Sequence, residues 1–361
     1  MNYVSIIMAV FSLLGAADRI FGNRIGLGKE FEKGIKIMGS LALSMIGMIV
    51  IAPFIADILQ PVIAFISNST PIDPSIIPSL IFANDMGGAP LAKEISSGSQ
   101  LGYFNGLVVA SMMGATISFT IPFALEVVKK EQQKNMLTGI LCGIITIPIG
   151  CFISGLLAGL PLRPLLINMI PLAVFSVILA WGLLSFPEIC VKIFFVLGTF
   201  IKILITMGLA LGILKFLTGA EIIKGLTSYE EGGAVILNAV AVLTGAFPLV
   251  FILSKILSVP LKFVGKKLHI NEASASGILS TLATNITTFN TMEDMDEKGI
   301  VINSAFAVPA AFVFADHLAF TLAFNPDYLG AVIVGKLLSG ILAIFLSLFV
   351  YKRLNKGGNE I

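Results

Sequence analysis

The sequence predicts an all-α polytopic membrane protein, built as an inverted repeat with about nine transmembrane helices and two re-entrant hairpins. Three observations carry this expectation. Apolar windows of roughly 20 residues, each enough to span about 30 Å of hydrocarbon, recur along the chain, and 57% of the 361 residues are hydrophobic against 12% charged. Two stretches, Ile81 to Gly102 and Ser280 to Gly299, set polar, acidic and glycine-rich residues into that apolar background. Their surroundings also match at a fixed spacing, with Asn105 and Asn303 lying 198 positions apart.

The elements follow in order. Crossings are expected near 3–20, 35–65, 101–127, 135–159, 165–186, 189–218, 233–257, 299–324 and 328–350. The first window lacks a basic leader and a small-residue cleavage pattern, so it reads as a retained helix. Pro53, Pro122, Pro148, Pro171, Pro248 and Pro309 interrupt apolar runs. They mark kinks as readily as ends, because neighbouring helices satisfy the freed carbonyls. The two polar stretches read as hairpins near 76–98 and 272–294, since irregular backbone at membrane depth persists only where protein or water satisfies it. The organisation is then a first repeat over 1–159, a connecting transmembrane helix over 160–187, a second repeat over 188–351 and a cytoplasmic tail over 352–361.

On this map most of the 23 Lys and Arg fall on one side, including Arg19, Arg24, Lys129, Lys130, Lys134 and Lys352. Positive-inside bias places the N-terminus outside and the C-terminus in the cytoplasm. An odd number of crossings separates the halves, so the second repeat is inverted and the hairpins enter from opposite faces. That is the arrangement expected of an alternating-access transporter.

Chemistry concentrates in the same stretches. Asp85, beside Asn84 and just ahead of Gly87, Gly88 and Pro90, is an acid in a membrane segment. Such a residue is costly unless it faces protein or water, which makes Asp85 a candidate substrate residue. Capping of the helix that follows is the competing role. Gly87, Gly88 and Pro90 would give the hairpin its flexibility. In the second hairpin Asn285 and Asn290, with Thr287 and Thr288, supply neutral oxygens and amide donors for a polar lining. Asp316 and His317 interrupt the run from Ala305 to Ala323. Asp316 suits a cationic substrate or a proton relay, and histidine is the side chain whose ordinary titration lies near neutral pH, so Asp316 and His317 are both candidates for proton coupling. Glu293, Asp294 and Asp296 read as a solvated loop, and Asp18 with Arg19 as an ion pair.

Several classes are excluded or left without support. Cys142, Cys151 and Cys190 form no metal-ligand pattern, and no metal or cofactor is expected. No phosphate-binding loop is present, so nucleotide coupling would need another subunit. The net charge of +2 says little about partners, and no nucleic-acid partner is expected.

In combination, DMGG at Asp85 to Gly88, LAKE at Leu91 to Glu94, IPIG at Ile147 to Gly150, the Ala283 to Asn285 turn and the Asp316 and His317 pair make the chain resemble the ethanolamine-utilisation permeases. The resemblance covers nearly the whole chain, with a shorter Thr218 to Gly232 connection and little C-terminal tail. It implies uptake of ethanolamine across the bacterial plasma membrane for catabolism. Membrane lipids are the other expected partner, and small-residue runs such as Gly155 to Gly159 suit either internal helix contact or a homo-oligomer. A coupling proton, a coupling sodium ion and the amine gradient alone all stay open. An ion-translocating subunit of a membrane enzyme complex is the alternative class.

Overall fold

Sixteen α-helices, and nothing but helices and connecting turns, make up the computed structural model, which describes residues 3–357. The first half comprises α1 (Tyr3–Ile20), the amphipathic α2 (Leu27–Lys36), α3 (Met38–Ser69), α4 (Ile76–Ile81), α5 (Gly88–Ile95), α6 (Gln100–Phe104), α7 (Ile121–Val127) and α8 (Lys130–Leu157). Between α6 and α7 the backbone is π-helical over Asn105–Gly114 and Thr116–Thr120. The second half comprises α9 (Leu162–Ser185), α10 (Pro187–Thr218), α11 (Tyr229–Leu268), α12 (Glu272–Ala283), α13 (Asn285–Asn290), α14 (Glu297–Ala310), α15 (Asp316–Phe324) and α16 (Leu329–Gly357). Of the tail expected over 352–361, residues 358–361 lie outside the described residues.

Eight helical stretches among the described residues are long and apolar enough to cross a membrane: Tyr3–Ile20, Leu27–Ser69, Gln100–Val127, Lys130–Leu157, Leu162–Ser185, Pro187–Thr218, Tyr229–Ile256 and Pro326–Leu354. The chain is a multi-pass membrane protein. Apolar side chains on α10, such as Phe195, Val196 and Leu217, point away from the protein and form a face suited to lipid.

The ninth expected crossing, over 299–324, is not one helix. It divides into α14 and α15, of 14 and 9 residues, each well short of a full span. The cause is tertiary. Pro309 lies in the last turn of α14, Phe312 takes a positive φ of 62°, and the N–H groups of Phe312 and Phe314 donate to the carbonyls of Thr281 and Leu282 at 3.2 and 2.9 Å. A ladder outside the helix therefore satisfies backbone groups that an intact helix would have used internally.

Close helix packing rests on small residues, which let backbones approach when no hydrophobic force acts between lipid-bathed helices. On α8, Gly139 and Gly143 lie against α14, and Gly150 lies against Gly335 and Ser339 of α16. Gly47 of α3 and Gly208 of α10 make a second such crossing. The expected pairing of Asp18 with Arg19 is replaced by two other contacts. The buried Asp18 carboxylate accepts from the N–H groups of Ile25 and Gly28 at 3.0 and 2.9 Å, fixing the turn into α2, while Arg19 pairs with Glu32 at 2.9 Å.

Candidate functional site

Both polar stretches fold as a helix, a break and a second helix. In the first, α4 stops at Phe82, a 3-10 turn covers Asn84–Met86, and α5 begins at Gly88. Gly87 makes the turn possible, because its φ of 122° is one that side-chain-bearing residues rarely adopt. The N–H groups of Met86 and Gly88 both donate to the Ala83 carbonyl, and the Ala83 N–H donates to Ser118 Oγ at 3.1 Å. In the second stretch α12 ends at Ala283 and α13 starts at Asn285, with Thr284 capping the Ile286 N–H.

Each break leans on an interrupted stretch of its own half. The first is bonded to Ser118 in the π-helical segment, and the second to Phe312 and Phe314 between α14 and α15. Side chains then join the halves crosswise. Asn285 Nδ2 donates to Thr120 Oγ1 at 3.0 Å, and His317 Nε2 lies 4.0 Å from Asp85 Oδ1.

The break before α5 and the start of α15 enclose a cavity of about 310 Å3, lined by Asp85, Met86, Ala83, Asp316, His317, Phe119, Phe312 and Ile286, with Ile37, Ser40, Leu41 and Ser44 from the α2 and α3 side and Ala115 from the π-helical stretch. Asp85 and Asp316 are the acids among these lining residues. Both sit at the first turn of a helix or just before it, where unpaired amides and the helix dipole favour negative charge. Asp316 Oδ1 and His317 Nδ1 are buried without hydrogen-bond partners, leaving unused hydrogen-bonding capacity at the start of α15. Phe312 reaches the His317 ring at 5.2 Å and the Phe119 ring at 5.7 Å.

The remaining candidates fall in different places. Asn84 is fully buried behind Asp85, and both polar atoms of its amide lack partners. Asn285 is buried on Thr120 with its Oδ1 unpaired. Asn290 is exposed and stands apart from the residues lining the cavity. Pro90 and Gly88 are buried, and Gly88 packs against Ala110.

Several lining residues carried no signal in the sequence. Ser40 and Ser44 donate to backbone carbonyls of α3 and its approach, which leaves their hydroxyl lone pairs free to accept. Serine is common in membrane helices, so nothing marked these two. Phe119 and Phe312 supply the rings, whereas Phe289 meets Phe123 edge-on, behind Phe119, and Phe320 stacks on Phe324. Lys336 of α16 is fully buried and donates to the Ser111 carbonyl. A lysine inside an apolar window was the readable signal there.

Eight apolar spans, together with a cavity that carries two acids at broken helices, define the class: a multi-pass membrane protein with acidic residues on a cavity wall. The family model described as "Ethanolamine utilisation protein, EutH" matches residues 1–350, and the chain belongs to that family. It is 44% identical over 350 residues to the probable ethanolamine permease EutH of Listeria monocytogenes, covering 97% of this chain and 94% of the relative. It is 39% identical over 382 residues to the probable ethanolamine permease EutH of Salmonella typhimurium, covering 95% and 94%. A third relative, the uncharacterized protein YxeR of Bacillus subtilis, is 38% identical over 340 residues, covering 94% and 92%. No solved structure matches the chain. The named relatives make this a family of permeases and not of enzymes.

Proposed function

We propose that the chain is an ethanolamine permease that imports ethanolamine across the bacterial plasma membrane for catabolism, using Asp85 as the counter-charge to the substrate ammonium. The observation that carries this reading is the convergence of Asp85 and Asp316 on one cavity walled by the Phe119 and Phe312 rings. A protonated amine leaving water needs an opposing carboxylate, and aromatic faces add to the attraction. The substrate hydroxyl finds its partners in Ser40 and Ser44, and the unpaired Asn84 amide and the unpaired Asn285 Oδ1 belong to the two breaks. Asp316 is the second counter-charge, and with His317 it is the candidate for proton coupling.

The architecture follows the same reading. The two halves act as inverted repeats, over 1–159 and 188–351, joined by the helix within 160–187, and the two breaks are the tips of opposed re-entrant hairpins. Matching capping chemistry supports this. Ser99 caps the Gly102 N–H ahead of Asn105, and Asp296 caps the Gly299 N–H ahead of Asn303. Asn105 then donates to Ser75 just before α4, as Asn303 does to the Ser274 carbonyl in α12. The discontinuous α14 and α15 pair completes the ninth crossing, which restores the external N-terminus and cytoplasmic C-terminus that the basic residues favour.

Asp85→Asn keeps size while removing charge. In purified protein it should lower ethanolamine affinity by about a hundredfold, in the range expected for an unpaired buried charge interaction. Substrate-induced heat and liposome uptake measure this. Near-normal binding and uptake in D85N would reject the assignment, and normal behaviour in both D85N and D316N would remove the two-carboxylate site. If D316N binds normally but loses proton-dependent accumulation alone, Asp316 belongs to coupling.

A further inference from the structure

The break between α12 and α13 has a second face. Ile286 lines the cavity that holds Asp85, whereas Thr284 and Thr287 line another cavity, of about 380 Å3, between α2, α11 and α12. The chain at the end of α2 divides in the same way. Ile37 is on the wall of the first cavity, and Lys33, whose carbonyl accepts from the Ile37 N–H at 3.1 Å, is on the wall of the second. The two chambers therefore share the turn over 284–287 and lie one helical turn apart along α2.

The second cavity is furnished for an ammonium group. Lys33 Nζ lies 3.7 Å from Glu30 Oε2 and 4.8 Å from the centre of the Phe247 ring, so a primary ammonium is held between a carboxylate and an aromatic face. Phe251, another residue of the lining, carries the Lys255 ammonium at 4.2 Å. Ser280 Oγ donates to the Ser276 carbonyl at 3.2 Å and Ser254 Oγ to the Phe251 carbonyl at 2.8 Å, which leaves the lone pairs of both hydroxyls to accept from a donor in the cavity. The Lys33 side chain is 59% exposed against 26% for Glu30, so the lysine can leave this seat while the carboxylate stays.

We propose that this cavity is a second binding site for the amine on its way through the protein, in which the substrate ammonium displaces that of Lys33 from between Glu30 and Phe247. The ligand class is a small primary amine with a hydroxyl. Its ammonium donates to the Glu30 carboxylate and the Ser280 hydroxyl, and the hydroxyls of Thr284 and Thr287 suit its alcohol end. Lys33 is a tethered competitor. It neutralises the seat when no substrate is present and keeps substrate affinity low, as a site that must pass its ligand on requires. The basic residues that follow α1 and end α11 assign this side to the cytoplasm, so in an importer the cavity is the release chamber. The inference rests on the ethanolamine reading of the Asp85 cavity.

Ser276→Cys, at an exposed position of the cavity wall, reports occupancy through its rate of reaction with a small thiol reagent, in a background with Cys142, Cys151 and Cys190 replaced. Ethanolamine should slow that reaction in purified protein. Glu30→Gln removes the counter-charge and should raise the half-protecting concentration about fivefold, whereas Lys33→Met removes the competitor and should lower it by a similar factor. Opposite signs are diagnostic, because an ion pair that only braces α2 makes the two substitutions act alike. Substrate-induced heat on the same proteins separates this inference from the reading beneath it. Heat of ethanolamine binding without protection of S276C overturns the second site and leaves the Asp85 site standing, as does protection that E30Q and K33M leave unchanged or shift in one direction. Absence of both heat and protection removes both. Protection is measured without either charge variant, so its absence overturns the inference even where these do not fold.

Discussion

At the scale of single residues, the site is organised by where backbone and charge are forced into unusual states. Gly87 is the clearest case. Its φ of 122° is disfavoured for any side chain, and a β-carbon there would also press on the Met48 side chain at 2.6 Å. Gly87→Ala should cost about 1–3 kcal/mol from backbone strain, whereas Gly39→Ala, in open space on α3, should not destabilise. Thermal unfolding of the two purified variants compares them, and a G87A midpoint equal to that of wild type would show that the turn relaxes without penalty. The acids and His317 were legible because a charge in an apolar window has few reasons to be there. Lys336 obeyed the same rule yet stood unused, because without the fold nothing connected it to the Ser111 carbonyl that it meets. Ser40, Ser44, Phe119 and Phe312 were not legible, since hydroxyls and rings are ordinary in such helices and the chain holds 27 Phe.

Among the elements, the two broken stretches were readable from their polar composition, but the partners that hold them were not. The run from Ala305 to Ala315 is continuously apolar, and its unwinding is imposed by hydrogen bonds to Thr281 and Leu282, some thirty positions away. The π-helical segment likewise differs from an α-helix only in its bonding offset, which leaves no mark in composition. The second broken stretch is also fastened at its outer end. Lys129 lies 2.6 Å from Glu293, and Gln132 Nε2 donates to the Met292 carbonyl at 3.0 Å, tying the 3-10 turn Met292–Asp294 to the start of α8. Lys129 holds the Glu293 carboxyl below its usual range, and Glu293 holds the Lys129 ammonium above its own. The lowered acid contributes stability above its ordinary value that is lost as pH falls through the lowered one. The raised base contributes below its ordinary value and is lost as pH rises through the raised one. Hydrogen-exchange protection of 292–294 should therefore fall on acidification through the carboxyl range, and this response should be absent in E293Q. High salt should weaken it, since both groups are exposed. Protection in E293Q that still follows the wild-type acid response would assign it to another group.

For the whole molecule, the decisive quantity is the parity of crossings, because one added or missing span reverses the sidedness of everything after it. Eight long apolar spans among the described residues would put both ends of the chain on one side. Counting α14 and α15 together as a ninth, discontinuous crossing puts them on opposite sides. The apolar spans were legible from hydropathy, while this last one lacks the length that hydropathy recognises and depends on the break at Ala311–Ala315. Impermeant thiol labelling distinguishes the two counts. In a background with Cys142, Cys151 and Cys190 replaced, Thr70→Cys at the end of α3 should label from outside intact cells, and Lys130→Cys at the start of α8 should label only after permeabilisation. A third thiol, Asp327→Cys in the exposed turn before α16, then tests the discontinuous crossing itself. With α14 and α15 crossing, position 327 lies outside together with position 70, and both label in intact cells. Labelling at 70 but not at 327 would mean that α14 and α15 return to the side they left, and the inverted repeat would lose its second half.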